Sequence, residues 1–130
     1  MPGTLLLDCE GLSKLYLRDR RVVTLVEAAR QEGIRVGTSA MTRLEAEYGR
    51  VHRARIAWIL SRIDVHAITR EISDAAAELL RDNGLHGHKY AIDASLAAIA
   101  RAGERPVTIA TSDPEDLTLL RGPGIEIIKV

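Results

Sequence analysis

The sequence predicts an α/β protein, a mainly parallel sheet with helices on both faces. Three observations predict it. Apolar runs of strand length alternate along the chain with longer segments of helical period. The runs are nearly continuous in apolar character, as strands covered from both sides should be. No linker, repeat or low-complexity segment interrupts the 130 residues, a length that suits a single domain over 1–130 with a sizeable core.

TLLLD (4–8) is the first strand, and the helical GLSKLYL (11–17) comes directly after it. The charged RDR separates that helix from RVVTLVEAARQEG (21–33), where Gly33 serves as a stop. IRVGT (34–38) is the second strand. Ser39, a good cap, opens the helical SAMTRLEAEYGR (39–50). RARIAWILSRI (53–63) carries Ile56, Ile59, Leu60 and Ile63 on one face. DVHAI (64–68) is the third strand, followed by the helices REISDAAAELLRDNG (70–84) and YAIDASLAAIARAG (90–103). VTIAT (107–111) is the fourth strand, DPEDLTLL (113–120) a short helix with Pro114 in its first turn, and IEIIKV (125–130) the fifth strand.

Composition excludes some functions. Lys plus Arg and Asp plus Glu each total 18, so no global field marks a nucleic acid, membrane or acidic partner, although a local binding surface is still open. Cys9 is the lone cysteine, which rules out an internal disulfide and fits a reducing compartment. The first residues have no basic start or long apolar stretch, and no run approaches the ~20 apolar residues of a membrane helix. A cytoplasmic protein without membrane contact is expected. With no Phe, one Trp and three Tyr, recognition by many aromatic stacks is not expected.

The acids fall at telling places. In an open α/β sheet, ligands bind beyond the carboxyl ends of the strands. Asp8 ends the first strand and Asp113 lies just past the fourth, so neighbouring parallel strands would bring both to one edge. Asp93 sits in the first turn of 90–103 and continues a stripe with Ala97 and Ala100, as a helix packed tightly on the sheet requires. The plainer account is that Asp93 complements the helix dipole. Glu45 and Glu47 point about 200° apart on a helix, and spacing alone does not choose between them.

Two carboxylates ~6 Å apart repel by about 3 kcal/mol at an effective dielectric of ~20. Several together therefore call for a divalent cation, and oxygen ligands suit Mg²⁺ or Mn²⁺. Zinc suits this chain poorly, because Cys9, His86 and His88 form no recognised zinc set.

With those residues in view, the chain resembles PIN-domain ribonucleases, and among them the VapC toxins of bacterial toxin–antitoxin pairs. LLLDCEGLSKL resembles the first motif, an acid ending the opening strand followed by a small residue and a leucine. SAMTRLEAEYG resembles the second, whose register of Thr, Glu, aromatic and Gly selects Glu45. YAIDASLAAIA resembles the third and IATSDPEDL the fourth. Glu10 and Cys9 beside Asp8 depart from the first motif.

The resemblance implies a three-layer α/β/α PIN-like domain with a Mg²⁺- or Mn²⁺-dependent phosphodiesterase site. Asp8, Glu45, Asp93 and Asp113 would be its catalytic and metal-binding acids, with Asp116 a fifth metal ligand. Thr111 or Ser112 would orient an acid, a water or a phosphate. The reaction would be metal-assisted hydrolysis of RNA, with no side chain covalently attached. Lys14 is the preferred phosphate contact, with Arg43, Arg50, His86, His88 and Lys89 as further cations near the acids; a solvated face explains most of them equally well. A cognate VapB-like antitoxin and a homodimer are implied as partners. RIAWILSRI with Trp58 offers apolar surface for either, against ordinary core packing of Ile56, Ile59 and Leu60.

Two other enzyme classes and one binding role compete. DCEG is similar to phosphatases of the haloacid dehalogenase type, which would make Asp8 a nucleophile, but no lysine lies in the stretch leading to Asp113. A response-regulator receiver needs a phosphoacceptor ending its third strand, and DVHAIT has none. A non-catalytic RNA- or partner-binding PIN-like module is the remaining alternative, although a retired site has no reason to keep so many mutually repelling acids.

Overall fold

A computed structural model describes residues 2–47 and 49–130. Five parallel strands, β1 (Thr4–Leu7), β2 (Arg35–Ser39), β3 (Asp64–His66), β4 (Val107–Thr111) and β5 (Ile125–Lys129), form one sheet in the order β3-β2-β1-β4-β5. The first strand lies at the centre because the chain winds outward through β2 and β3, then returns to its other side. The strand order therefore reverses at β1, and the crevice of such a fold lies beyond its carboxyl end.

Helices cover both faces. Leu5 and Leu7 point to one face and join Leu12 of α1 (Cys9–Tyr16), Val22 and Val26 of α2 (Arg20–Gln31), and Ile56 and Ile59 of α4 (Arg53–Ser61). Leu6 points the other way, to Leu96 and Ile99 of α6 (Gly87–Ala102) and Leu117 of α7 (Pro114–Leu120). The period-two alternation of strand side chains sorts three consecutive leucines into two cores. A third layer member, α5 (Arg70–Asp82), packs Ala76 and Leu79 on Ala94, Ala97 and Ala98 of α6. The short α3 (Ala40–Glu45) caps the carboxyl edge between α1 and α6. The predicted three-layer α/β/α architecture is the one observed, with every strand parallel.

Local chemistry moves several boundaries. The first strand stops at Leu7 because Asp8 leaves it to cap α1, accepting from the Gly11 amide at 2.8 Å. The third strand ends at His66, short of the expected residue 68. The segment expected to be helical to residue 50 ends at Glu45; residues 47, 49 and 50 are exposed, so no buried face extends it. Tyr48, the aromatic of that motif, lies outside the described residues. At α6 the helix starts earlier than expected, at Gly87, because Lys89 and Tyr90 both direct their amides to the His86 carbonyl. Asp93 is thus its seventh residue, not a first-turn acid, and the helix-dipole account of it loses force.

Other expectations stand. Ser39 caps α3, Pro114 opens α7, and Gly33 lies just past the end of α2 at φ +74°. Ile56 and Ile59 are core residues, and Leu60 is half-buried. Among the described residues no helix is long and apolar enough to cross a membrane.

Candidate metal centre

Because the strands are parallel, the residues just past the ends of β1, β2 and β4 share one sheet edge. Helix α6, running back toward β4, brings its amino-terminal half to that edge. Asp8 is fixed there twice. Its Oδ1 accepts from Gly11, and its Oδ2 accepts from the Thr111 hydroxyl. A side chain in place of Gly11 would put its Cβ 3.1 Å from the Ala110 carbonyl oxygen and 3.5 Å from Asp8 Oδ1, so glycine lets α1 start this close to β4. Burial pushes the Asp8 carboxyl up, while the bonds from Thr111 and Gly11 oppose that shift.

Thr111 is fully buried and also accepts from the Asp113 amide at 3.0 Å. One hydroxyl therefore joins the first and fourth motif acids. Asp113 precedes α7 without a side-chain capping bond, which leaves its exposed carboxylate uncommitted, and half-buried Asp116 lies in the first turn. Ser112 is half-buried and makes no side-chain hydrogen bond among the described residues.

Asp93 reports the whole constellation. Its pKa is pushed up to about 6, first by burial, then by the charges of Asp116, Asp8, Glu45 and Asp113. Those are the acids named from the sequence, together with the fifth candidate. Glu47 is not among them; its charge is felt at Tyr16, beyond Arg43. Exposed Glu45, the last residue of α3, instead acts on Asp93 and Cys9. Of the two glutamates, Glu45 is the one whose charge acts on Asp93.

Three buried hydroxyls that sequence reasoning did not assign to the site position α3. Thr38 donates to the Leu7 carbonyl at 2.8 Å, locking β2 to the residue before Asp8. Ser39 Oγ accepts from the Thr42 amide at 2.9 Å and donates to Thr42 Oγ1 at 2.8 Å. All three are at most 1% exposed. The signal was the run of hydroxyl residues at the end of the second strand.

The proposed cations divide. Lys14 lies on α1, but its ammonium donates to the Val130 carbonyl at 2.9 Å, so its nearest role is to tie down the end of β5. Arg43, Arg50, His86, His88 and Lys89 are exposed. Among the described residues the ion pairs are Arg30–Glu27, Arg35–Asp64 and Arg70–Asp74. None of these pairs includes any of the five acids.

This donor set fits a hard dication in chemistry: it is all oxygen, negatively charged and unneutralised. As the rotamers stand, no three Asp, Glu, His or Cys side chains among the described residues converge on one point that could hold an ion. The five acids therefore leave an open set rather than a closed cage. Mg²⁺ asks little more, since it commonly takes one or two carboxylates directly and keeps several waters.

A cavity of about 410 Å³ lies elsewhere, between α2 and α4. Leu15, Val23, Val26 and Ile59 contribute its apolar lining, and Arg18, Arg20, Arg30 and Arg55 outnumber Glu27 among its charged residues. Trp58, 61% exposed with the Arg62 guanidinium 4.9 Å from its ring, also lines it.

No family model matches the sequence, and no curated protein matches it. Solved structures do match in shape. VapBC2 from Rickettsia felis, bound to a DNA fragment from its promoter, aligns with TM-score 0.73 at 16% identity, over 98% of this chain and 98% of that one. A toxin–antitoxin complex from Klebsiella pneumoniae aligns at 0.67 and 20% identity over 93% and 94%. FitAcB from Neisseria gonorrhoeae aligns at 0.62 and 20% identity over 95% and 96%. Similarity across nearly the full length, with an all-parallel five-stranded sheet between helical layers, establishes that this chain has the PIN-domain fold.

Proposed function

We propose that this chain is a Mg²⁺- or Mn²⁺-dependent endoribonuclease and the toxin of a toxin–antitoxin pair. The observation that carries the reading is a group of carboxylates from four chain segments, unbalanced by any ion pair among the described residues, whose charges with burial push Asp93 to about 6. Asp8, Glu45, Asp93, Asp113 and Asp116 would hold the metal. Bound there, the metal would polarise a phosphoryl oxygen and make an attacking water available near neutral pH.

The chain's own residues supply orientation and charge. Thr111 and Gly11 fix the Asp8 carboxylate and favour its ionised form despite burial. Thr38, Ser39 and Thr42 hold the helix that ends in Glu45. Of the exposed cations Arg43, Arg50, His86, His88 and Lys89, it is Lys89 on which Asp116 and Asp113 act, so Lys89 would meet an entering phosphodiester. The test is cleavage of a defined RNA with Mg²⁺, Mn²⁺ or EDTA. Cleavage should need the metal, and Asp8→Asn should keep the fold yet lose most of the activity. A fully active Asp8→Asn protein overturns the reading.

Such an enzyme needs restraint, and the apolar groove between α2 and α4 suits the amphipathic segment of a VapB-like antitoxin. Trp58→Glu should weaken capture of the co-expressed antitoxin without lowering cleavage. A homodimer belongs to the same proposal and is read by sedimentation. One observation favours a second reading, RNA or partner binding without catalysis: no three metal-binding side chains among the described residues converge on a point. RNA binding that is unaffected by metal and yields no cut would establish it.

A further inference from the structure

Helix α6 carries two side chains within a turn of Asp93 that holding a metal does not require. The Lys89 ammonium lies 5.0 Å from the centroid of the Tyr90 ring, so the two form one cationic aromatic unit. Asp93 comes three residues after Tyr90 and four after Lys89, so all three share a side of the helix. Lys89 is exposed and Tyr90 half-buried. Tyr90, and after it Asp116 and Asp113, favour the charged form of Lys89; those two acids stand at the start of α7, the helix packed beside α6.

Aromatic rings are scarce in this chain, with three Tyr, one Trp and no Phe. Tyr16 is 1% exposed in the core and Trp58 lines the groove between α2 and α4. Among the described residues, Tyr90 is the ring one helical turn from Asp93. A single-stranded RNA presents unstacked bases, which prefer an aromatic face, and phosphates, which prefer a cation. A cleft of carboxylates supplies neither.

We infer that Lys89 and Tyr90 seat the nucleotide next to the cleaved bond, the base stacking on Tyr90 and its phosphate pairing with Lys89. The inference rests on the RNA-cleaving reading above and adds how the strand is held in register over the acids. Tyr90 is a positioning residue in this account, not a catalytic one.

The test is fluorescence anisotropy with a short labelled single-stranded oligoribonucleotide in Mg²⁺, every protein carrying Asp8→Asn to preserve the RNA. Tyr90→Ala and Tyr90→Leu should bind about tenfold more weakly and Tyr90→Phe within about twofold of the parent. Lys89→Ala should reduce the slope of log affinity against log salt by about 0.7. An abasic site scanned along the oligonucleotide should weaken the parent at one position and leave Tyr90→Ala indifferent there. Tyr90→Leu binding as the parent does would show that packing, not stacking, is at work, and would overturn the inference. So would equal affinity of Tyr90→Ala, or no RNA affinity in the parent. Cleavage by proteins that retain Asp8 separates the two claims. Metal-dependent cutting at unchanged rate and position in Tyr90→Ala removes the seat and leaves the nuclease; Tyr90-dependent binding without any cutting does the reverse.

Discussion

The Thr111 hydroxyl donates to Oδ2 of Asp8, across the boundary between the strand that opens the chain and one that nearly closes it. The same oxygen accepts from the Asp113 amide. A buried threonine thus sets two acids relative to each other and favours ionisation of the more buried one.

Replacing Thr111 by valine keeps the shape and removes both bonds. Loss of a hydrogen bond to a charged group costs about 1.5–3 kcal/mol. Thr111→Val should accordingly lower kcat/KM for RNA by about 10- to 150-fold and lower the melting temperature, whereas Thr111→Ser should retain most of both. Wild-type turnover in Thr111→Val would show that the acids do not depend on this link.

Asp93 makes the metal-free protein pH-sensitive. Its folded pKa of about 6 lies above the ordinary 3.8, so the folded chain holds this proton more tightly than the unfolded one. This group's contribution to stability is therefore least favourable above pH 6 and improves as pH falls through 6 toward 4. Melting temperatures in EDTA should rise from pH 8 to pH 5, after allowance for the other acids, and Asp93→Asn should be more stable than wild type at pH 8 with a flatter profile. Identical profiles for the two proteins would remove the electrostatic account of Asp93.

Glu45 and Glu47 are both exposed, yet only Glu45 acts on Asp93. Glu45→Gln should reduce metal-dependent cleavage by about a hundredfold, the loss of roughly 2.7 kcal/mol of transition-state stabilisation. Glu47→Gln should stay near wild type. Equal losses in a side-by-side rate measurement would show that α3 presents both to the cleft.

Gly37 tests the sheet rather than the site. A Cβ there would meet the Asp64 carbonyl oxygen at 2.9 Å and His66 Nε2 at 3.1 Å. Overpacking of this kind costs about 1–3 kcal/mol, so Gly37→Ala should lower the denaturation midpoint and loosen β3, the edge strand that Gly37 pairs through Asp64. Hydrogen exchange at residues 64–66 reads this directly; unchanged protection would mean that β3 shifts without penalty.

Much of this architecture was legible in the sequence because the strands are short apolar runs and two of the acids, Asp8 and Asp113, stand just past the ends of two of them. Asp8 and Asp113 could be assigned to one edge from the parallel alternation alone. The boundaries were less legible where packing overrides local preference: Gly87 and two histidines read as a loop, yet α6 begins there because the His86 carbonyl accepts two amides. Between Glu45 and Glu47 only the motif pointed to Glu45, since both are solvated. Thr38, Ser39 and Thr42 escaped notice as site residues because their work is done on Leu7 and on each other. Lys14 looked like a phosphate contact from its distance to Asp8, but only the fold reveals the Val130 carbonyl waiting for it.

The pairing of β1 with β4 also bears on when the proposed nuclease could become dangerous. Asp8 leaves the ribosome about a hundred residues before its partner hydroxyl on Thr111. A nascent chain therefore carries its acids apart, and the proposed RNA-cutting centre cannot assemble while most of the chain is still being translated. On the proposed reading, the topology would act as a safety delay for the messenger and ribosome that produce it.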